Sequence, residues 1–104
     1  MEIIPLDPVP SQVLTVSLSN QTCQIKVYQK LFGLFLDVSV NNVLIIGGVL
    51  CENLNRIVRS LYLGFQGDLM FIDNQGSSDP TFDGLGARYS LAYLSPSDLP
   101  PGVG

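Results

Sequence analysis

The sequence predicts an all-β fold, a small antiparallel β-sandwich or barrel of about five to six strands with at most one short helical turn. Three observations predict it. Apolar and polar residues alternate over several separate stretches, turn-forming residues recur between them about every 8 to 12 residues, and a glycine pair interrupts the longest apolar run.

The first strand is expected over Val13–Ser19, where Leu14, Val16 and Leu18 alternate with Thr15, Ser17 and Ser19. Asn20 and Gln21 suit a tight turn. Alternation then resumes with Cys23, Ile25 and Val27 against Gln24, Lys26 and Tyr28, the signature of an antiparallel hairpin. After Gly33, residues Leu34, Leu36, Val38 and Val40 share one face while Phe35, Asp37 and Ser39 share the other, up to the turn pair Asn41-Asn42. Val43–Ile46 followed by Gly47-Gly48 predicts a strand bent by a bulge. In Asn53–Leu63, Leu54, Ile57, Val58 and Leu61 have helical spacing while the asparagines and Gly64 favour turns, a stretch with room for one short helical turn. Leu69–Ile72 is a further strand, Asn74–Gly86 a polar surface loop, and Tyr89, Leu91 and Tyr93 mark the closing strand. Residues 1–94 are therefore expected to form a single β domain. Residues 95–104, rich in proline and glycine, are expected to be a tail without regular structure.

Composition narrows the function. With 104 residues and 46% apolar content the chain supports one core, and its 13% charged content leaves few charges for the exterior. Neighbouring subunits are expected to cover part of the apolar excess. The net charge is −4 and the cations are Lys26, Lys30, Arg56, Arg59 and Arg88. Binding a phosphate backbone needs clustered Lys and Arg, so no nucleic-acid partner is predicted. No apolar run approaches the roughly 18 to 20 residues of a membrane-spanning helix, and the acidic, proline-broken Met1–Pro10 does not read as a signal peptide. The Asn20-Gln21-Thr22 glycosylation pattern falls in a hairpin turn and is read as a coincidence.

Chemistry is equally constrained. The sequence has no histidine, which removes the usual general base and the usual activator of a serine or cysteine nucleophile. Cys23 and Cys51 lie in apolar segments, where burial raises a thiol pKa, and are expected to be buried and free. Asp73, Asp79 and Asp83 bracket the long loop, but they lack the spacing of a calcium hand, and aspartate in such loops ordinarily satisfies its own backbone. Gly64-Phe65-Gln66-Gly67 lacks the Lys and Ser/Thr of a phosphate-binding loop and reads as a turn. No enzyme activity, metal or cofactor is predicted.

The order of segments resembles that of the baseplate plug proteins of contractile-tailed bacteriophages. The resemblance rests on Glu2-Ile3-Ile4-Pro5-Leu6, Leu36-Asp37-Val38-Ser39, Gly48-Val49-Leu50 with Asn53-Leu54, and Leu61-Tyr62-Leu63-Gly64-Phe65-Gln66-Gly67-Asp68-Leu69. Its most distinctive part is Asp79-Pro80-Thr81-Phe82-Asp83-Gly84-Leu85-Gly86 followed by Arg88-Tyr89-Ser90-Leu91-Ala92-Tyr93. The sequence departs from the family pattern at Phe35, Cys51-Glu52 and Ala87, none of which carries chemistry. The resemblance implies a compact β domain of the virion tail baseplate, assembled in the host cytoplasm. It further implies packing between tail tube and hub, with the tape-measure protein as a further neighbour, in a symmetric trimer or hexamer. Partner contacts are expected at Asp79, Pro80, Phe82, Asp83 and Leu85 of the long loop, and at the outward-facing Tyr28 and Phe35. The competing reading of the same aromatics is a carbohydrate- or receptor-binding module of the virion.

Overall fold

The chain folds into two antiparallel sheets around one core, as seen in a computed structural model that describes residues 2–58 and 66–98. The strands are β1 (Glu2–Ile4), β2 (Ser11–Leu18), β3 (Gln21–Lys30), β4 (Gly33–Val40), β5 (Val43–Leu50), β6 (Asp68–Asp73) and β7 (Tyr89–Leu94). A four-stranded sheet runs β2-β3-β4-β5 and a three-stranded sheet runs β1-β7-β6. The antiparallel all-β expectation thus describes the molecule.

The meander β2 to β5 follows directly from the alternating pattern. Cys23, Ile25 and Val27 of β3 and Leu34, Leu36 and Val38 of β4 are buried, and their neighbours in sequence face outward. Ser19-Asn20 and Asn41-Asn42 close two hairpins with positive φ at both residues (48° and 63°, 50° and 68°), the geometry that matches strand twist in a two-residue turn. Asparagine tolerates that backbone because its short amide compensates locally. In β5 the expected bulge is present. Leu36 pairs with Val49 and Val38 with Ile46, so Asp37 stands opposite both Gly47 and Gly48, and its Oδ1 accepts the Gly48 N–H at 2.7 Å.

The second sheet supplies the opposite wall of the core through Ile4, Leu69, Phe71, Leu91 and Tyr93. Strand β1 was not anticipated, because three residues show no periodicity; it is fixed by pairing with β7, Ile3 opposite Ala92. The helical turn expected in Asn53–Leu63 is not found in its described part. Residues 53–58 instead run along the free edge of β6, with Asn53 bridging Phe71 and Arg56 bridging Met70. Leu54 and Ile57 donate their N–H groups to the Phe71 and Leu69 carbonyls at 2.9 Å each, which covers an otherwise open sheet edge. Residues 59–63, the Gly64-Phe65 half of the predicted turn, and residues 99–104 of the tail lie outside the described residues.

Short 3-10 turns occur at Phe82–Gly84 and Pro96–Asp98. The second corrects the expectation that residue 95 onward lacks regular structure: the Asp98 carboxylate accepts both the Ser95 N–H and its hydroxyl at 3.0 Å, closing the turn. Where the long loop returns to β7, Gly86 has φ +81°, and a Cβ there would fall on the Leu6 carbonyl oxygen. Gly86→Ala is therefore expected to lower stability by about 2 kcal/mol in urea unfolding. A loss below about 0.5 kcal/mol would show that the loop can shift away from Leu6.

Candidate functional site

The loop 74–86 is built on Asp73. Its carboxylate receives Arg88 Nε and Nη2, both at 2.9 Å, together with the Gln75 N–H at 2.9 Å and the Ser78 N–H at 2.8 Å. The bidentate Arg88 guanidinium is the main reason the Asp73 carboxyl is held well below the ordinary carboxylate range, with the backbone N–H groups adding to it. Asp79, exposed at the loop edge, accepts the Asn53 N–H at 3.0 Å, and exposed Asp83 accepts the Thr81 hydroxyl. Each carboxylate that bracketed the loop in the sequence thus fastens backbone or a neighbouring side chain. Among the described residues no group of three His, Cys, Asp or Glu is arranged to hold a metal ion.

The apolar members of the loop divide. Leu85, 2% exposed, belongs to the core, and Pro80 is buried, so neither presents a side chain at the surface as the sequence suggested. The reason is topological: Leu85 bridges Tyr89 as the chain turns back into β7, which brings it inside. Phe82 is half-buried against the core, and its N–H donates to Gln29 Oε1 at 3.1 Å. Of the loop's predicted contacts, Asp79, Asp83 and part of Phe82 remain accessible.

Tyr28 and Phe35 lie side by side on the outer face of the four-stranded sheet, half-buried, their ring centroids 6.0 Å apart and their planes 18° from parallel. Lys26 Nζ and Lys30 Nζ stand 5.3 and 5.5 Å from the Tyr28 centroid. The Tyr28 hydroxyl donates to Asp37 Oδ1 at 2.9 Å. Partial burial first, and the Asp37 carboxylate second, push this phenol above its ordinary value, so it stays a neutral donor. Both predicted contact groups sit at the same end of β3, but because Tyr28 and Gln29 point to opposite faces they do not form one surface.

Cys23 and Cys51 are buried and free, and desolvation raises both thiols, Cys51 to about 12. They are therefore protonated and unreactive at neutral pH. Sequence reasoning missed the most exposed apolar residues of the sheet, Leu31 and Phe32, 90% and 85% exposed at the β3–β4 turn. The signal was available: two bulky residues directly before Gly33, where two alternating strands must reverse.

A two-sheet β domain with its acidic loop residues engaged in holding the backbone and large apolar groups facing outward belongs to the class of structural assembly proteins. Comparison with known families makes this specific. The chain belongs to the cyanophage baseplate plug family, whose model, described as "Cyanophage baseplate Pam3 plug gp18", matches residues 1–96. It is a structural component of the phage tail baseplate. No curated protein matches the chain.

Proposed function

We propose that this chain is a non-enzymatic plug subunit that packs between tail tube and hub and closes or braces the tube lumen. The observation that carries this reading is the disposition of its polar and apolar groups. Asp73, Asp79 and Asp83 are engaged in fixing the loop, while Leu31, Phe32, Val43, Leu44 and Leu50 face outward, beyond what scattered surface exposure requires. Such a molecule gains free energy by contact rather than by turnover. Hub and tube proteins are its partners, with the tape-measure chain a further candidate, and copies of the domain form a symmetric trimer or hexamer in the baseplate. Residues 1–94 are the packing unit and residues 95–104 an accessory tail.

A glycan platform is the weaker reading of the aromatic pair. Two ammonium groups border the Tyr28 ring and its hydroxyl is already bound to Asp37, which leaves little free aromatic face for a sugar. The accessible part of Phe82 gives the test. Phe82→Ala should cost about 1–2 kcal/mol while the domain still folds, and should reduce incorporation into purified tails several-fold relative to wild type. Incorporation unchanged from wild type would remove the loop from the contact surface.

A further inference from the structure

The β3–β4 turn breaks the rule that the other two hairpins of its sheet obey. Ser19-Asn20 and Asn41-Asn42 place small polar residues at the tip, whereas Leu31-Phe32 places two of the bulkiest apolar side chains there, almost wholly in water. Exposing both costs hydrophobic free energy that a polar pair would not. The tip is nonetheless held in place. Strand pairing continues to Lys30 opposite Gly33, and the Gln29 N–H donates to the Pro10 carbonyl at 2.8 Å just behind it. Gly33 takes φ +149°, a backbone that side-chain-bearing residues rarely adopt, and Leu50 Cδ1 stands 2.7 Å from where its Cβ would be, which places the exposed Leu50 directly behind the tip. The outward-facing row Tyr28, Phe35 and Leu50 continues the apolar surface back from it.

Charge adds direction. Arg56 lies 4.0 Å from the Asp68 carboxylate and Arg88 is bound to Asp73, while the exposed Lys26 and Lys30 both sit around Tyr28 at the base of the tip. Asp37, opposite Lys26 on the same face, is engaged by Tyr28 and Gly48. Other carboxylates approach this end of β3 from neighbouring segments, Asp7 before β2, Glu52 after β5 and Asp83 beside Phe82, but the outer face around Tyr28 carries the two lysines. The result is an apolar point with a cationic collar on an otherwise acidic protein.

We infer that the Leu31-Phe32 hairpin is an insertion anchor that enters an apolar pocket rimmed by carboxylates on another baseplate protein. This rests on the packing role proposed above and names its main contact. A second copy of the chain is the poorer receptor. The cleft near the other end of β3, about 290 Å³, is bordered by the carboxylates of Glu2 and Asp98, the hydroxyls of Ser19 and Ser95, and Tyr93, with no aliphatic side chain among them. Two apolar side chains need an apolar floor. Because the tip is held by the strand ladder, little conformational freedom is lost on insertion, which is the property of an effective anchor.

The test uses the full chain in assembling tails. The double variant Leu31→Ser, Phe32→Ser should melt at or above the wild-type temperature and incorporate into baseplates at least about ten-fold less well. Lys26→Glu with Lys30→Glu should also incorporate poorly, whereas Lys26→Arg with Lys30→Arg should restore it. A photo-crosslinking phenylalanine analogue at position 32 should capture a different baseplate protein, at a peptide bearing apolar residues and Asp or Glu. Wild-type incorporation by the serine variant, or crosslinks only to another copy of this chain, would overturn the inference while leaving the plug role standing. A wild-type chain absent from baseplates would sink both.

Discussion

Asp68→Ala is expected to remove about 3–5 kcal/mol of folding free energy, a large part of what a domain of this size has. The Asp68 side chain is fully buried at the start of β6, and its Oδ1 accepts three backbone N–H groups, from Ile57 at 3.1 Å, Val58 at 2.8 Å and Leu69 at 2.7 Å. Its Oδ2 lies 4.0 Å from Arg56 Nε. A charged acceptor shared by several donors is stronger than a neutral one, and removing it strands the Val58 and Leu69 N–H groups away from water. Ile57 keeps its bond to the Leu69 carbonyl, so the segment should loosen rather than detach. Buried Ile57 and Val58 would nevertheless lose their fixed position at the edge of the core. Asp68→Asn retains one acceptor oxygen and should lose roughly half as much. Urea unfolding with an unchanged slope measures both values. A loss below about 1 kcal/mol for the alanine variant would mean that the segment is held by its side-chain packing alone.

The second large effect is acid sensitivity centred on Asp73. Its carboxyl is held far below the ordinary range in the folded protein, chiefly by Arg88, and titrates near 3.9 when unfolded. For a depressed carboxylate the sign is fixed: the stabilisation is fully present above the unfolded value and is lost as pH falls below it. The wild-type melting temperature should therefore fall steeply from about pH 4 toward pH 2. Asp73→Asn should melt lower at pH 7, and the gap between variant and wild type should close across the same acid window. Parallel pH profiles for the two proteins would contradict the assignment. Other carboxylates titrate in both proteins, so the difference between them isolates this one.

Much of this architecture was legible because alternation is a local signal. In β2, β3 and β4 each residue's burial follows from its neighbours, and the bulge follows from a glycine pair. What escaped was set by long-range contact. Leu54, Ile57 and Val58 carry helical spacing, yet the β6 carbonyls and Asp68 draw this segment into edge pairing, and Leu54 takes φ +62°. Strand β1 exists only because β7 is there to pair with it. The loop 74–86 is polar in composition, which concealed that Pro80 and Leu85 turn inward. On the outer face of the four-stranded sheet, Tyr28 and Phe35 were legible from their outward phase, while the exposed Leu31-Phe32 was masked by its position between two strands. Hydrophobic residues in a turn are as informative as polar residues in a core.

The role proposed for this domain in the baseplate is one of contact, packed between tail tube and hub. Cryo-electron microscopy of intact tails tests it most directly. Density for the paired three- and four-stranded sheets is expected at the tube–hub junction, with the Leu31-Phe32 hairpin buried in a neighbouring protein. A junction occupied by other proteins, with this chain recovered only from the soluble lysate, would contradict it.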